Sequence, residues 1–256
     1  MNLGNIVERE RTVFVDGSAL QPINTRLCTN IFPVQRAAQL RFLPLREYAA
    51  ELLETTLELA SPNVATTWEV AAEVKKLSSI LNDKFHYLKT KPAINRDKKH
   101  RENEAEGIEC FEIAVAAAYD LYQRVRACTR RFDDPRYLFL KSLVQDIMAR
   151  HLICNNIKGK RPDCDRGLRN IEKRSYDGDS SLVAAALYVA SLEKDRCAIV
   201  TSDQDILFLV KHALDELKLW LGNAHVSVYL SRKKYVKEWI DGEAPSLTKN
   251  AAVYIR

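Results

Sequence analysis

Short apolar runs that end at a polar or acidic residue alternate with longer helical patterns along this chain. Residues 12–16 read Thr-Val-Phe-Val-Asp and residues 197–203 read Cys-Ala-Ile-Val-Thr-Ser-Asp, while residues 63–67 and 226–229 give two further short strand patterns. Such runs are typical of strands buried on both faces of a parallel sheet. The alternation predicts an α/β fold with a parallel central sheet flanked by helices and right-handed crossovers.

The spacing of apolar residues predicts the helices between these strands. Helical patterns cover about 45–59 and 68–88, and another helix begins at Asp133-Asp134-Pro135. One amphipathic helix is indicated by an apolar set at intervals of three and four: Ile108, Phe111, Val115, Ala118, Tyr122 and Val125. Its apolar face is either core or a seam between two copies of the chain, so a homo-oligomer is an open alternative.

The domain organisation follows from where the strand patterns stop. The stretch from about 90 to 175 has few strand signals, and we interpret it as a large helical insertion. After it, Asp179 is a natural N-cap for a helix that is apolar on all sides. We therefore expect one domain over residues 9–240, followed by a C-terminal tail at 241–256.

The same sequence argues against membrane and secretory classes. The longest strongly apolar run, Leu182 to Ala190, has nine residues and is too short to span a bilayer. Charged residues precede the first apolar strand, which differs from the layout of a secretory signal, and the six cysteines include no CxxC pair. We expect a cytoplasmic protein with reduced thiols and no membrane partner.

Positive charge is concentrated in two segments. Residues 84–101 carry a local net charge of +6 and residues 158–174 one of +4, although the whole chain has only +5. Such segregation suits a surface that follows phosphates beside an acidic centre, although solvated loops are the alternative interpretation. The candidate nucleic-acid-binding residues are Lys89, Lys91, Arg96, Lys98, Lys99, Arg101, Lys158, Lys160, Arg161, Arg166 and Arg169.

Acidic residues stand where the predicted fold brings distant segments together. Asp16 and Asp203 follow predicted strands, and Asp179 opens a predicted helix, so all three belong at the carboxyl edge of the sheet. A helical wheel places Glu73 inside an apolar stripe, where a lone carboxylate is costly. Clustered acids resist ionisation unless a divalent cation lies among them, and oxygen ligands suit Mg²⁺ or Mn²⁺.

Each of these acids also has a simpler interpretation. Asp179 alone can be a helix cap, Asp16 a turn residue, and Asp205 a first-turn acid that complements the helix dipole. Glu69 competes with Glu73, and Asp177 competes with Asp179 for the same place. Only their joint position favours catalysis.

In this pattern the chain resembles the PIN-domain nucleases. The residues that carry the resemblance are Val13-Phe-Val-Asp16-Gly-Ser-Ala-Leu20, Val70-Ala-Ala-Glu73-Val74, Asp179-Ser-Ser-Leu-Val-Ala-Ala-Ala-Leu187 and Thr201-Ser-Asp203-Gln-Asp205. The resemblance covers roughly residues 11–75 and 176–230 and occurs in family order. About a hundred residues separate Glu73 from Asp179, more than in small family members.

The resemblance implies a function and a set of site residues. Asp16, Glu73, Asp179 and Asp203 match the metal-binding and catalytic acids of the family, Asp205 is an accessory metal ligand, and Ser18 lies where a supporting hydroxyl is common. It implies an endoribonuclease that uses Mg²⁺ or Mn²⁺ and acts on RNA, and an inhibitor protein as a partner is left open. The alternatives are a structure-specific DNA nuclease and an inactive RNA-binding module.

Other hydrolase and metal-site interpretations fit less well. A phosphatase of the aspartyl-phosphate type needs a second Asp at position 18, which is Ser. A topoisomerase-primase site built on Asp203 and Asp205 leaves Asp16 unexplained. A zinc site from His151, Cys154 and Cys164 matches no common finger spacing and lacks a fourth ligand.

Overall fold

The computed structural model describes residues 6–20, 42–90, 98–151, 177–192, 196–230 and 252–253. The described strands form one sheet: β1 (Thr12–Val15), β2 (Val64–Thr67), β3 (Thr129–Arg130), β4 (Cys197–Thr201), β5 (Val226–Leu230) and β6 (Ala252–Val253). Their order is β3-β2-β1-β4-β5-β6; the first five are parallel, and β6 is antiparallel to β5. The predicted α/β fold with a parallel central sheet is confirmed.

The described helices surround this sheet, and all but the two four-residue helices α1 and α8 correspond to predicted helices. They are α1 (Gly17–Leu20), α2 (Phe42–Glu58), α3 (Trp68–Thr90), α4 (Lys98–Ala127), α5 (Pro135–His151), α6 (Asp177–Leu192), α7 (Gln204–Glu216) and α8 (Lys218–Leu221). The sequence did not predict β3, inside the helical insertion, or β6, inside the tail. Both have only two residues, so neither offers a pattern long enough to indicate a strand.

Helix α4 shows what the insertion packs against. Phe111, Ala118 and Val125 are fully buried on its apolar face, and α4 lies against α2 and α3. Of the two interpretations of this face, core and dimer seam, the structure supports core. The insertion therefore belongs to the same hydrophobic core as the sheet.

Helix α6 is buried on all sides, as its composition predicts. Residues 182–187 are completely shielded from solvent between the sheet and α5. Among the helices that the structure describes, none has the length and apolar character needed to cross a bilayer. The apolar run in α6 therefore serves the core.

The strand order determines where a site can form. Strand β1 is central, with β2 on one side and β4 on the other. The chain first adds β2 and β3 on one side of β1 and later adds β4 and β5 on the opposite side, so the strand order reverses at β1. In open parallel sheets a crevice opens beyond the carboxyl ends of strands at such a reversal. Val15 pairs with Val200, and the Asp16 N–H donates to the Val200 carbonyl over 2.9 Å, so Asp16 and Thr201 lie side by side at this edge.

Candidate metal centre

Asp16 is buried and held by hydroxyl groups from two strand ends. The hydroxyls of Ser18 and Thr201 both donate to Oδ2 of Asp16, the latter over 2.7 Å. Each hydroxyl oxygen accepts a backbone N–H in turn, from Ser202 and Asp203 respectively, both over 2.9 Å. The carboxylate of Asp16 is therefore fixed in orientation, and Ser18 has the supporting role that the resemblance implies.

Asp203 combines a structural role with a position at the site. It is the N-cap of α7, where Oδ1 accepts the Asp205 N–H over 2.9 Å. Asp205 lies in the first turn, half-buried, where an acid also complements the helix dipole. The simpler interpretation of Asp205 as a first-turn acid is thus correct, whereas the cap role of Asp203 was not predicted and leaves its second oxygen outside the cap.

Asp179 is a first-turn residue and not a cap. Helix α6 begins at Asp177, so the predicted N-cap at Asp179 is wrong by about half a turn. The hydroxyl of Ser181 forms a hydrogen bond with the hydroxyl of Thr67 at the end of β2, and it also donates to the Gly178 carbonyl. These bonds hold the start of α6 against the carboxyl edge of the sheet.

Glu73 reaches the site although its helix face is more open than the sequence predicts. Residues Val70, Val74 and Leu81 are buried as expected, but Glu73 itself is exposed, so its placement within a buried stripe is wrong. Its carboxylate lies against the chain at two glycines: a Cβ at Gly17 would be 3.1 Å from Oε2, and a Cβ at Gly178 only 2.7 Å from Oε1. The carboxylate is therefore lodged between the residue after Asp16 and the residue before Asp179.

The structure distinguishes between two of the competing acids. Glu69 accepts a hydrogen bond from Lys141 of α5 over 2.8 Å, and both side chains are largely shielded. This pair neutralises Glu69, whereas Glu73 faces Asp16. The side chain of Asp177 lies outside the described part of the chain. Asp179 is therefore assigned to the site from its own position, without a comparison with Asp177.

The pKa values report that the acids share one environment. Burial, followed by the charges of the neighbouring acids, raises the pKa of Asp179 to about 8. Although Glu73 is exposed as a whole residue, its carboxyl group lies against Gly17 and Gly178, and this local desolvation and the charge of Asp16 raise its pKa to about 7. Burial and the charge of Asp203 raise the pKa of Asp205 to about 6. Burial also raises the pKa of Asp16, against the hydrogen bonds from Ser18 and Thr201. Mutual repulsion of this kind is what a divalent cation would relieve.

The donor set fits a hard cation. Its members are carboxylates, which Mg²⁺ and Mn²⁺ prefer over nitrogen or sulfur. Among the described residues, the group whose potential ligand atoms all lie within 4.8 Å of one another is His151, His212 and Glu216. The carboxylate oxygens of the acids at the sheet edge are spaced more widely than that.

Most of the proposed nucleic-acid-binding cations lie outside the described residues. Lys91, Arg96 and the set at 158–169 fall in undescribed ranges; Lys98, Lys99 and Arg101 belong to α4, but their side chains are not described. Lys89 is exposed near the end of α3, and its ammonium lies 5.5 Å from the centre of the Phe85 ring. Trp68 was not among the predicted nucleic-acid-binding residues. It is 51% exposed, and the Arg131 guanidinium lies 5.2 Å from its ring centre.

Replacing Gly178 tests whether the lodged position of Glu73 matters. We expect Gly178→Ala to weaken Mn²⁺ binding about 10-fold or more, because the new Cβ displaces Oε1 of Glu73. Stability in chelator should stay the same or rise by up to about 1 kcal/mol, because alanine is the better helix former. Mn²⁺ titration and thermal unfolding measure the two effects.

A double-mutant cycle provides the control for this substitution. In a Glu73→Gln background, Gly178→Ala should cost little further affinity if it acts through that carboxylate. Equal losses of Mn²⁺ affinity in both backgrounds would show that Gly178 acts in some other way.

Comparison of the chain with family models, with curated proteins and with solved structures finds no match. The inference of function therefore rests on the positions and chemistry of these side chains.

Proposed function

We propose that this protein is a metal-dependent endoribonuclease of the PIN type, which hydrolyses phosphodiester bonds of RNA with Mg²⁺ or Mn²⁺. The observation that carries the proposal is the convergence of Asp16, Glu73, Asp179 and Asp203. Each comes from a different segment, and the pKa of Asp179 responds to the charges of the other three. A divalent cation held between these carboxylates would offset the mutual repulsion that raises the pKa of Asp179.

In this proposal the acids hold the cation and the surrounding hydroxyls orient them. Asp16, Glu73, Asp179 and Asp203 would be ligands, with Asp205 as an accessory ligand. A bound divalent ion supplies charge stabilisation at the phosphoryl group and lowers the pKa of water. Two hydroxyls that donate to one oxygen of Asp16 fix that carboxylate before substrate arrives, which avoids reorganisation during the reaction.

Trp68 and its neighbours favour a single-stranded nucleic acid as substrate. Trp68 begins α3 directly after Thr67, whose hydroxyl hydrogen-bonds Ser181 in the first turns of α6. The exposed indole can stack on a base, while the cation of Arg131 beside it can pair with a phosphate. Since a base in a duplex has no free face, this arrangement suits single strands.

The direct test is a cleavage assay with labelled single-stranded RNA, duplex RNA and flap DNA. Each substrate is incubated with Mn²⁺, with Mg²⁺ and with chelator. Cleavage of single-stranded RNA that stops in chelator supports the proposal. Preferred cleavage of flap DNA would favour the DNA nuclease, and binding of RNA without cleavage would favour the inactive RNA-binding module.

Replacing Trp68 tests the stacking interaction. We expect Trp68→Ala to weaken binding of a single-stranded RNA about 10-fold, because stacking of one base contributes about 1–3 kcal/mol. Binding is measured by fluorescence anisotropy in an Asp203→Asn background, so that cleavage does not interfere. Trp220→Ala is the matched control, because Trp220 is 62% exposed on α8. Equal affinities of the two variants would exclude Trp68 from the interface.

A further inference from the structure

A second group of potential metal ligands lies apart from the acid cluster, which consists of Asp16, Glu73, Asp179, Asp203 and Asp205. His151, His212 and Glu216 each offer one ligand atom, and these atoms all lie within 4.8 Å of one another. His212 and Glu216 are four residues apart on α7 and therefore share one face of that helix. His151 is the last residue of α5. The group thus joins the ends of two packed helices.

The side chains of this group are already close in the structure. The rings of His151 and His212 are stacked with their centres 3.8 Å apart and an angle of 16° between their planes. Nε2 of His151 lies 2.5 Å from Oε1 of Glu216. A cation bound here would replace this short contact between the imidazole and the carboxylate.

Arg150 orients the carboxylate of Glu216. Its guanidinium contacts Oε2 over 2.6 Å, which leaves Oε1 directed at His151. Ligating carboxylates are commonly held by such an outer partner, which fixes the ligand before the metal binds. The side chains of His151 and Glu216 are about one third exposed, so a metal ion can reach the group from solvent.

We propose that His151, His212 and Glu216 form a Zn²⁺ site that links the end of α5 to α7. Two imidazole nitrogens and one carboxylate oxygen are a typical three-ligand set for Zn²⁺, with water as the fourth ligand. The same set is a poor one for Mg²⁺, which prefers oxygen ligands alone. This site is independent of the proposed nuclease centre.

The two centres are separated along one helix. Asp203 caps the start of α7, and Glu216 ends the same helix, about 20 Å away at 1.5 Å per residue. No residue of the acid cluster is therefore a ligand of the Zn²⁺ site. An ion pair of Arg150 and Glu216 alone would gain nothing from Zn²⁺ and does not account for the stacking of His151 on His212.

Calorimetric titration with Zn²⁺ tests the proposal on the full chain, with Mg²⁺ in excess to occupy the acid cluster. We expect the wild-type protein to bind one Zn²⁺, and His212→Ala and Glu216→Gln to bind it at least about 10-fold more weakly. His225→Ala, which removes an exposed histidine elsewhere, should leave the affinity unchanged. Thermal unfolding in chelator shows whether each variant is folded.

The visible spectrum of bound Co²⁺ and the Asp203→Asn variant show whether the ion binds at the histidines or in the acid cluster. Co²⁺ should give the strong visible bands of a four-coordinate site in the wild-type protein and in Asp203→Asn, but not in His212→Ala. Zn²⁺ binding that is lost in Asp203→Asn and retained in His212→Ala would place the ion in the acid cluster and overturn the proposal. Absence of Zn²⁺ binding to the folded wild-type protein would overturn it as well, whether or not the protein cleaves RNA.

Discussion

Asp203→Asn should lower the rate of RNA cleavage by more than about 100-fold while the protein stays folded. Asparagine keeps a side-chain oxygen that can accept the Asp205 N–H, and it is as good an N-cap as aspartate. The substitution therefore removes the negative charge and leaves the start of α7 intact. Single-turnover cleavage of a labelled single-stranded RNA in Mn²⁺ measures the rate.

The matched control is Asp215→Asn on the same helix. Asp215 is exposed near the other end of α7, so this variant has the same change in net charge without touching the acid cluster. It should cleave at the wild-type rate. Cleavage by Asp203→Asn at that rate would contradict both the metal centre and the proposed function.

The second large expected effect is a change in the free energy of unfolding with pH and with bound metal. The pKa of Asp179 is about 8 in the folded protein against 3.8 for the ordinary group, so the folded state keeps protons that the unfolded chain has released. Stability without metal therefore falls as the pH rises from about 4 to about 8. Glu73 and Asp205, with pKa values of about 7 and 6, contribute in the same direction.

Mn²⁺ should reverse this loss at alkaline pH. At a concentration of about 100 times its Kd, a cation that binds only the folded state adds about 2.7 kcal/mol, which corresponds to a rise in Tm of about 5–10 °C. The gain should shrink toward about pH 5, because protons then compete for the same carboxylates. Thermal unfolding with Mn²⁺ and with chelator across this pH range measures it.

Asp179→Asn separates the acid cluster from other titrating groups. In chelator at about pH 8 the variant should be more stable than the wild-type protein by about 1–3 kcal/mol, because a repelled, half-buried charge is removed. It should also lose most of the Mn²⁺ gain. Identical pH profiles of the variant and the wild-type protein would show that Asp179 is not part of a repelling cluster.

Local pattern was enough to predict most of the fold. The strands β1, β2, β4 and β5 and the helices α2 to α7 appear close to their predicted positions, because their spacing repeats over several turns or fills a whole strand. The elements that were not predicted are β3 and β6, each of two residues, and the four-residue helices α1 and α8. Whether such a short segment pairs with a sheet depends on the strand beside it and not on its own composition.

The choice among acids was beyond the sequence. A helical wheel gives the angle of Glu69 and Glu73 on α3 but not what covers them. Lys141, 72 residues away, pairs with Glu69, while Gly17 and Gly178 make room for Glu73. The Asp177-Gly-Asp179 sequence was the available signal, since a glycine at a helix start can permit a close approach.

The sequence by itself determined that Asp16 and Asp203 each follow a buried strand of an α/β fold, because the alternation of short apolar runs with helical patterns is a local property of the chain. Only the tertiary structure decided which other side chains join them. It also brought His151 to His212 and Glu216, which no spacing in the chain indicates. The reason is physical: contacts between distant segments depend on how whole elements pack, and packing is a property of the complete core.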